Sequence, residues 1–518
     1  LGFVRRARSG AGLRPPLALT IAAAAVVAGT LVPLVYLFER ALERGAGFVL
    51  DELLQPRTAL LIGRSAALVL LVTVACVVLG VGFAVLVSRT DVPGRRLLAV
   101  ALTLPMAMPS YLVAFLWISL FPSLQGLWGS VLVLTLVSYP LVFLTTMAAL
   151  ARSDPAQEEV ARSLGHNGWS VLFRVTLRSA RPAITAGALL VALYVLSDFG
   201  AVAAMRYEAF TWVIYGAYRS GFNPSRAAVL ALLLLVFAVA LVVAERLVRG
   251  RAGARVGSGS PRPVVVIPLG RWRPVAAAVA VVVVLAAIAV PLFALSDWLV
   301  SGGLRWDAEQ WWDALVATLW LSTTAAVVST VAALPLGVLA ARHRTRGTRL
   351  LESASYVSHG LPGIVVAIAM VSLGVLLLHP IYQRAPLLIL AYAVLLIPLA
   401  VGSVRAAVEA SPVRLDEVAQ SLGRSPVRAF ASVTVRNAAP GIAAAAALVL
   451  LTCMKELPVT LLLHPTGTDT LATRLWGHSF VSDYSSAAPY AAALVVFAAI
   501  PTAALGVWTA GVRGVRGG

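Results

Sequence analysis

Three ionisable side chains lie where a largely apolar chain should carry none: Asp198, Lys455 and Glu456. Charges within apolar spans are costly and usually line a pathway or pair inside a helix bundle. Asp198-Phe199-Gly200 and Glu456-Leu457-Pro458 stand 258 residues apart, in equivalent places of a repeated sequence. Two readings stay open for them. One is an acidic pair lining an outer gate and attracting a cation; the other is an interfacial set, such as Lys455 with Glu456, that caps or anchors helices. Asp198 lies sixteen residues past Pro182, or about 24 Å along a helix at ~1.5 Å per residue, which puts it towards the far end of its span. Catalytic groupings are missing: there is no zincin helix, no Ser/His/Asp set and no acidic phosphate-metal motif, so no enzyme activity and no catalytic residue is expected. His379, His464 and His478 are separated from His166, His343 and His359, and none belongs to a ligand cluster, so no metal site is expected. Cys76 and Cys453 both fall in apolar runs and make neither a zinc site nor a disulfide framework.

A second constellation is polar and occurs twice. Glu159-Val160-Ala161-Arg162-Ser163-Leu164-Gly165 returns as Glu417-Val418-Ala419-Gln420-Ser421-Leu422-Gly423, and 12 of 26 positions are identical between 159–184 and 417–442. Ser153-Asp154-Pro155 and Ser411-Pro412 are helix starts, a small polar cap with proline at the first turn. Gly165 and Gly423 stand where a left-handed residue would end that helix, and Asn167 and Ser425 can cap a second short one. Each copy therefore predicts helix, glycine turn, helix. Val160, Ala161 and Leu164, like Val418, Ala419 and Leu422, fall on one helical face, flanked by carboxylates at 158–159 and 416–417 and by arginines. Such a hairpin either tucks against the membrane surface and holds the fold, or docks as a knob into a partner.

The elements that carry these residues are membrane helices. Hydrophobic residues make up 60% of the chain and charged residues 12%, against about 45–50% and ~25% in an ordinary soluble domain. Twelve spans are predicted, roughly 17–38, 59–87, 98–120, 127–150, 182–205, 226–247, 274–296, 314–341, 355–378, 385–403, 440–463 and 487–510. The Leu17–Phe38 run, followed by Glu39-Arg40, reads as a span and not as a cleavable signal peptide. With the N-terminus inside, thirty of the forty arginines fall in inner segments. That bias places both termini and both repeated loops in the cytoplasm. The net charge of +19 is thus a topology signal, and no nucleic-acid partner is expected. The Gly-, Arg-, Ser- and Pro-rich stretch 249–273 reads as a cytoplasmic linker. It divides a first repeat (1–248, loop about 152–182) from a second (274–518, loop about 410–440). The fold class is an all-α polytopic membrane protein with two parallel six-helix repeats, each carrying a cytoplasmic helix-turn-helix.

The pattern Glu-x-Ala-x-x-x-Gly, present at 159–165 and 417–423, resembles the EAA motif of ABC-importer permeases. Departures are Val160 and Val418 at the second position, and Arg178 and Arg436 where a proline is common. The resemblance covers nearly the whole chain and implies a permease with two fused halves. Its loops would be coupling helices docked on two copies of a cytoplasmic ATPase subunit, which binds the ATP and magnesium. It also implies an external substrate-binding protein, alternating access and a place in the bacterial inner membrane. The chain itself has no Gly-x-x-x-x-Gly-Lys-Ser/Thr, and Lys455 is its only lysine, so it holds no nucleotide cradle and no cofactor of its own. Within the family, Ser197-Asp198-Phe199-Gly200, Arg206 to Thr211, Lys455 to Pro458 and His464 to Arg474 look like the two-repeat ferric-iron permeases. Permeases for thiamine, sulfate or spermidine share the architecture. A secondary transporter can also have two six-helix halves, but it would leave the repeated loops unexplained, and a membrane enzyme has no motif to support it.

Overall fold

Apolar composition sets where the helices run, and proline and buried polar caps set where they break. The computed structural model describes residues 15–151, 153, 155–219, 221, 223–249, 266–301, 307–343, 345–355 and 362–514. Asp154, His359, Arg305, most of the expected linker (250–265) and the terminal arginines Arg5, Arg6, Arg8, Arg14 and Arg516 lie outside the described residues. Among the described residues the structure is helical, and Thr90 and Ile267 form an isolated parallel bridge.

Nine described helical segments are long and apolar enough to cross a membrane, or ten if one bent pair counts as a single span. The twelve expected spans map onto these unevenly. The third (98–120) is the bent pair, Arg95–Ala107 and Ser110–Leu120, which meet at 93°. Pro109 causes the bend: it lacks an N–H and pushes Met108 out of the helical region, to ψ 137. The ninth (355–378) is represented by the short helix Gly363–Leu376, again entered through an extended proline, Pro362. The fifth and eleventh are each two helices. Leu177–Ser197 stops before Gly200–Ala204, and Arg436–Lys455 stops before Pro458–Leu463. The twelfth lies in Tyr484–Gly514. Short helices that hydropathy did not foresee run Gly45–Leu54, Phe210–Arg219 and Leu471–Phe480.

The chain forms two compact units, and each draws on both sequence halves. In the unit of residues 1–43 and 312–473, the first-half helix Leu17–Leu42 packs on Gly363–Leu376, Arg346–Ser355 and Ala385–Glu409 of the second half. Ala385–Glu409 packs in turn on Arg436–Lys455. In the unit of residues 44–311 and 474–518, the core is Pro56–Arg89 against Gly126–Ala151 and Leu177–Ser197. Val290–Ser301 and Tyr484–Gly514, both from the second half, pair within that unit. Small residues let these helices approach closely: a Cβ on Gly80 would stand 2.7 Å from Val142 Cβ.

Candidate functional site

Each repeated polar segment folds as a hairpin, and the two hairpins match bond for bond at the turn. Helix Pro155–Ser163 ends at Gly165, with φ 86°. The His166 N–H donates to Ala161 C=O at 3.2 Å, and the Gly165 N–H donates to Arg162 C=O at 2.9 Å. Helix Val413–Ser421 ends at Gly423, also with φ 86°. There the Arg424 N–H donates to Ala419 C=O at 3.2 Å, and the Gly423 N–H to Gln420 C=O at 3.0 Å. This crossed pair is the closure that a left-handed glycine permits. A second helix follows in each: Gly168–Val171, capped by Asn167 Oδ1 accepting from Ser170 N at 2.8 Å, and Pro426–Ala429, where Ser425 Oγ accepts from Arg428 N at 3.4 Å. Both then enter a π-helical turn, Leu172–Thr176 and Phe430–Val435. The extra residue per turn shifts the helical face that follows by about 100°.

The structure splits the apolar set read from the sequence. Val160 and Leu164 are 59% and 74% exposed, and Val418 and Leu422 are 55% and 79% exposed. Ala161 and Ala419 turn inward and are buried. Glu159, Glu417, Gly165 and Gly423 are exposed. Each hairpin therefore seats itself with alanine and presents a larger apolar pair outward; in the second hairpin Val413 and Leu415 are exposed as well.

The neighbouring acid, one residue earlier, does a different job. Glu158 is buried and paired with Arg89, the last residue of helix Pro56–Arg89, at 3.0 Å. Thr176 Oγ1 donates to Glu158 Oε1 at 3.0 Å, and Arg89 also donates to Leu150 C=O at 3.0 Å and to Ser153 Oγ. The second hairpin repeats the arrangement. Asp416 pairs at 3.3 Å with Arg342, the last residue of helix Ala308–Arg342. Thr434 Oγ1 donates to Asp416 at 2.6 Å and accepts from Arg342 at 2.8 Å. One guanidinium donor in each pair, Arg89 Nε and Arg342 Nε, is buried without a hydrogen-bond partner, and removing one member of a buried charge pair costs about 3–5 kcal/mol. In the sequence these residues stand only as flanking charges. Signals for them exist: acids at 158 and 416, threonines at 176 and 434 in the same register, and an arginine closing each long apolar run.

Asp198 and Glu456 sit where their helices break. Ser110 Oγ donates to Asp198 Oδ2, the Ala201 N–H donates to its Oδ1 at 2.8 Å, and Thr211 Oγ1 donates to its carbonyl at 2.6 Å. Glu456 repeats the pattern: Val459 N–H lies 3.5 Å from Oε1, and Thr460 Oγ1 donates to the Glu456 carbonyl at 2.5 Å. Each acid thus caps the short helix that follows it. The opposing residue adjusts to its length. Ser110 meets the shorter aspartate, whereas Gly363 leaves the room that Glu456 fills, since a Cβ on Gly363 would run into Glu456 Oε1. Lys455 is the last residue of Arg436–Lys455, the end at which a helix dipole favours a cation. Phe199, next to Asp198, anchors an aromatic cluster with Trp212, Tyr215 and Trp476, at ring separations of 5.9, 5.0 and 5.4 Å. Among the described residues no three His, Cys, Asp or Glu side chains gather into a metal-holding group.

The described end of the expected linker is tied down beside the first hairpin. The Ile267 N–H donates to Arg89 C=O at 2.8 Å, the Leu269 N–H to Asp91 Oδ1 at 3.0 Å, and Arg273 lies 3.8 Å from Asp91. Ile267 also lies against Gly168 of the hairpin, where an added Cβ would meet it at 3.5 Å.

Comparison with known proteins agrees with this doubled arrangement. The family model described as "Binding-protein-dependent transport system inner membrane component" matches twice, over residues 76–252 and 333–513, one match around each hairpin. The chain is similar to the Fe(3+)-transport system permease protein FbpB 2 of Haemophilus influenzae, 34% identical over 494 residues, covering 94% of this chain and 97% of that protein. It is also similar to the sulfate transport system permease protein CysW of Escherichia coli, 29% identical over 34% of this chain and 65% of that protein. Molybdenum transport system permease protein ModB of Escherichia coli is 31% identical over 24% of this chain and 60% of its own length.

Proposed function

The chain belongs to the inner membrane component family of binding-protein-dependent transport systems, and from that premise we propose that it is the membrane subunit of an ATP-driven importer of ferric iron. The observation that carries the mechanism is the pair of matched hairpins. Four large apolar side chains at matching positions of the two hairpins, Val160, Leu164, Val418 and Leu422, are exposed among charged residues, and Val413 and Leu415 add to the exposed apolar surface of the second. Covering such a side chain is worth about 1.5–3 kcal/mol, and a polar hairpin is a poor surface to leave against lipid. Two like knobs suit two copies of one ATPase subunit, which would bind ATP and magnesium. Closure of those subunits on ATP would move both hairpins and change the side on which the pathway opens, for cargo delivered by an external binding protein.

The topology that goes with this reading has twelve crossings, both termini and both hairpins in the cytoplasm, and a linker between two repeats (1–248 and 274–518). The arginine distribution supports it. Asp198 and Glu456, with Lys455 beside the second, belong to the pathway in this reading, because the helix breaks that the two acids cap put polar backbone where a continuous helix would present none. Iron as cargo rests on the near full-length similarity to an Fe(3+)-transport permease. The sulfate and molybdenum relatives match about a third of the chain or less.

The test is uptake into proteoliposomes containing the chain, its ATPase and its binding protein, with radiolabelled ferric iron, sulfate, molybdate and thiamine supplied in parallel. ATP-dependent accumulation of iron alone is expected. Accumulation of thiamine or an oxyanion instead would remove the iron reading. Uptake driven by an ion gradient without the ATPase would remove the whole mechanism.

A further inference from the structure

The buried Arg89–Glu158 pair and the partly buried Arg342–Asp416 pair join elements that an importer must move together. Arg89 terminates a 34-residue helix and Arg342 a 35-residue helix, while Glu158 and Asp416 lie in the short helices of the hairpins. In each half a threonine in the π-helical turn after the hairpin bonds to the same acid. One carboxylate thus ties together the end of a long membrane helix, the knob and the start of the next membrane helix. A hairpin held only by an apolar seat could pivot on its glycine turn when pushed. One held by a charge pair withdrawn from most of the solvent transmits the push, because tilting it would strip the pair of its partners.

We propose that Arg89–Glu158 and Arg342–Asp416 are transmission bolts, positioning residues that convert movement of a docked ATPase into movement of the membrane helices. The proposal rests on the reading of the hairpins as docking elements. The bolts are unequal. Arg89 and Glu158 side chains are 3% and 7% exposed, against 12% for both Arg342 and Asp416. Ser153 joins the first network, whereas Ser411, its counterpart, has a buried hydroxyl without a hydrogen-bond partner. Asp416 is also one methylene shorter. The first hairpin is therefore held more rigidly than the second, and it carries more of the coupling.

Two measurements test this on the full chain. Hydrogen exchange of the amides in 155–171 and 413–429 reads the bolt without any partner. Iron transported per ATP hydrolysed, in proteoliposomes with the ATPase and binding protein, reads its use. Glu158→Gln should speed exchange in the first hairpin alone and lower the transport-to-hydrolysis ratio roughly ten-fold, and Asp416→Asn should do the same in the second with about a three-fold loss. Glu158→Asp, which copies the other half, should keep most of the ratio. Should E158Q fail to accumulate, the charge-free pair R89M/E158Q is read in its place, with the same loss of ratio expected. An unchanged ratio in E158Q or its substitute overturns the proposal, even where exchange is faster. Wild-type chain that transports without its ATPase overturns the docking reading instead, and that outcome is visible before any variant is made.

Discussion

Both hairpins turn on a glycine at φ 86°, and a Cβ added to either would meet nothing within 4 Å. Substitution there therefore changes backbone preference alone. Gly165→Ala and Gly423→Ala should each cost about 1–2 kcal/mol of local stability, and valine more, because a branched Cβ fits the left-handed region worst. The double alanine chain is expected at normal abundance in the membrane, with faster proteolysis within the hairpins and ATP hydrolysis that no longer scales with uptake. Immunoblotting, limited trypsin digestion and paired hydrolysis and uptake assays measure the three. Wild-type coupling in the double valine chain would show that the turn is not needed. These glycines were legible in sequence because the turn and the cap after it, Asn167 or Ser425, are only about two residues apart; the first cap expected at Ser411 does not form, since helix Val413–Ser421 has no side-chain cap and the Ser411 hydroxyl has no hydrogen-bond partner. Glu158 was not legible, because its partner Arg89 is 69 residues away and an acid beside an acid reads as a solvated rim. The inward turn of Ala161 escaped for the same reason: a helical face can be counted from sequence, but which of its edges is covered depends on what it packs against.

At the scale of elements, hydropathy located the apolar runs and misjudged their continuity. The stretch 182–205 is apolar almost throughout, yet the helix stops at Ser197 because Asp198 caps the next turn and bonds to Ser110, 88 residues earlier. Apolar periodicity holds no information about such a bond. The two breaks also show how a repeat diverges without losing its geometry, with Asp198 facing Ser110 in one half and Glu456 facing Gly363 in the other. This pairing can be exchanged. Asp198→Glu alone inserts a methylene into a filled site and should cost about 1–3 kcal/mol; adding Ser110→Gly should restore most of it. Gly363→Ser should likewise destabilise and be relieved by Glu456→Asp. Thermal unfolding of the purified chain in detergent reads all four. A double variant no more stable than its parent single would show that the two positions are not coupled.

At the scale of the whole chain, the duplication in sequence and the division in space are different partitions. The halves read from the repeat are 1–248 and 274–518, but the compact units take residues 1–43 with 312–473 and residues 44–311 with 474–518. Helix Leu17–Leu42 buries Ala23, Val27, Leu34 and Leu37 in a unit otherwise made of the second half. Val290–Ser301 buries Ala294, Leu295 and Trp298 in a unit otherwise made largely of the first. No repeat counting could have found this, since the exchange leaves the order of helices along the chain unchanged. It has a consequence for a severed protein. A chain cut between 249 and 266 leaves each half without a helix that its unit needs, and exposes the small-residue faces on which close helix packing depends. Either half expressed alone is expected to be degraded or to aggregate. The two co-expressed halves should accumulate together and co-purify through a tag on one of them, because the exchanged helices hold them without the peptide link. Stable, separately purified halves with native melting behaviour would mean that each repeat folds on its own and that the exchange contributes little.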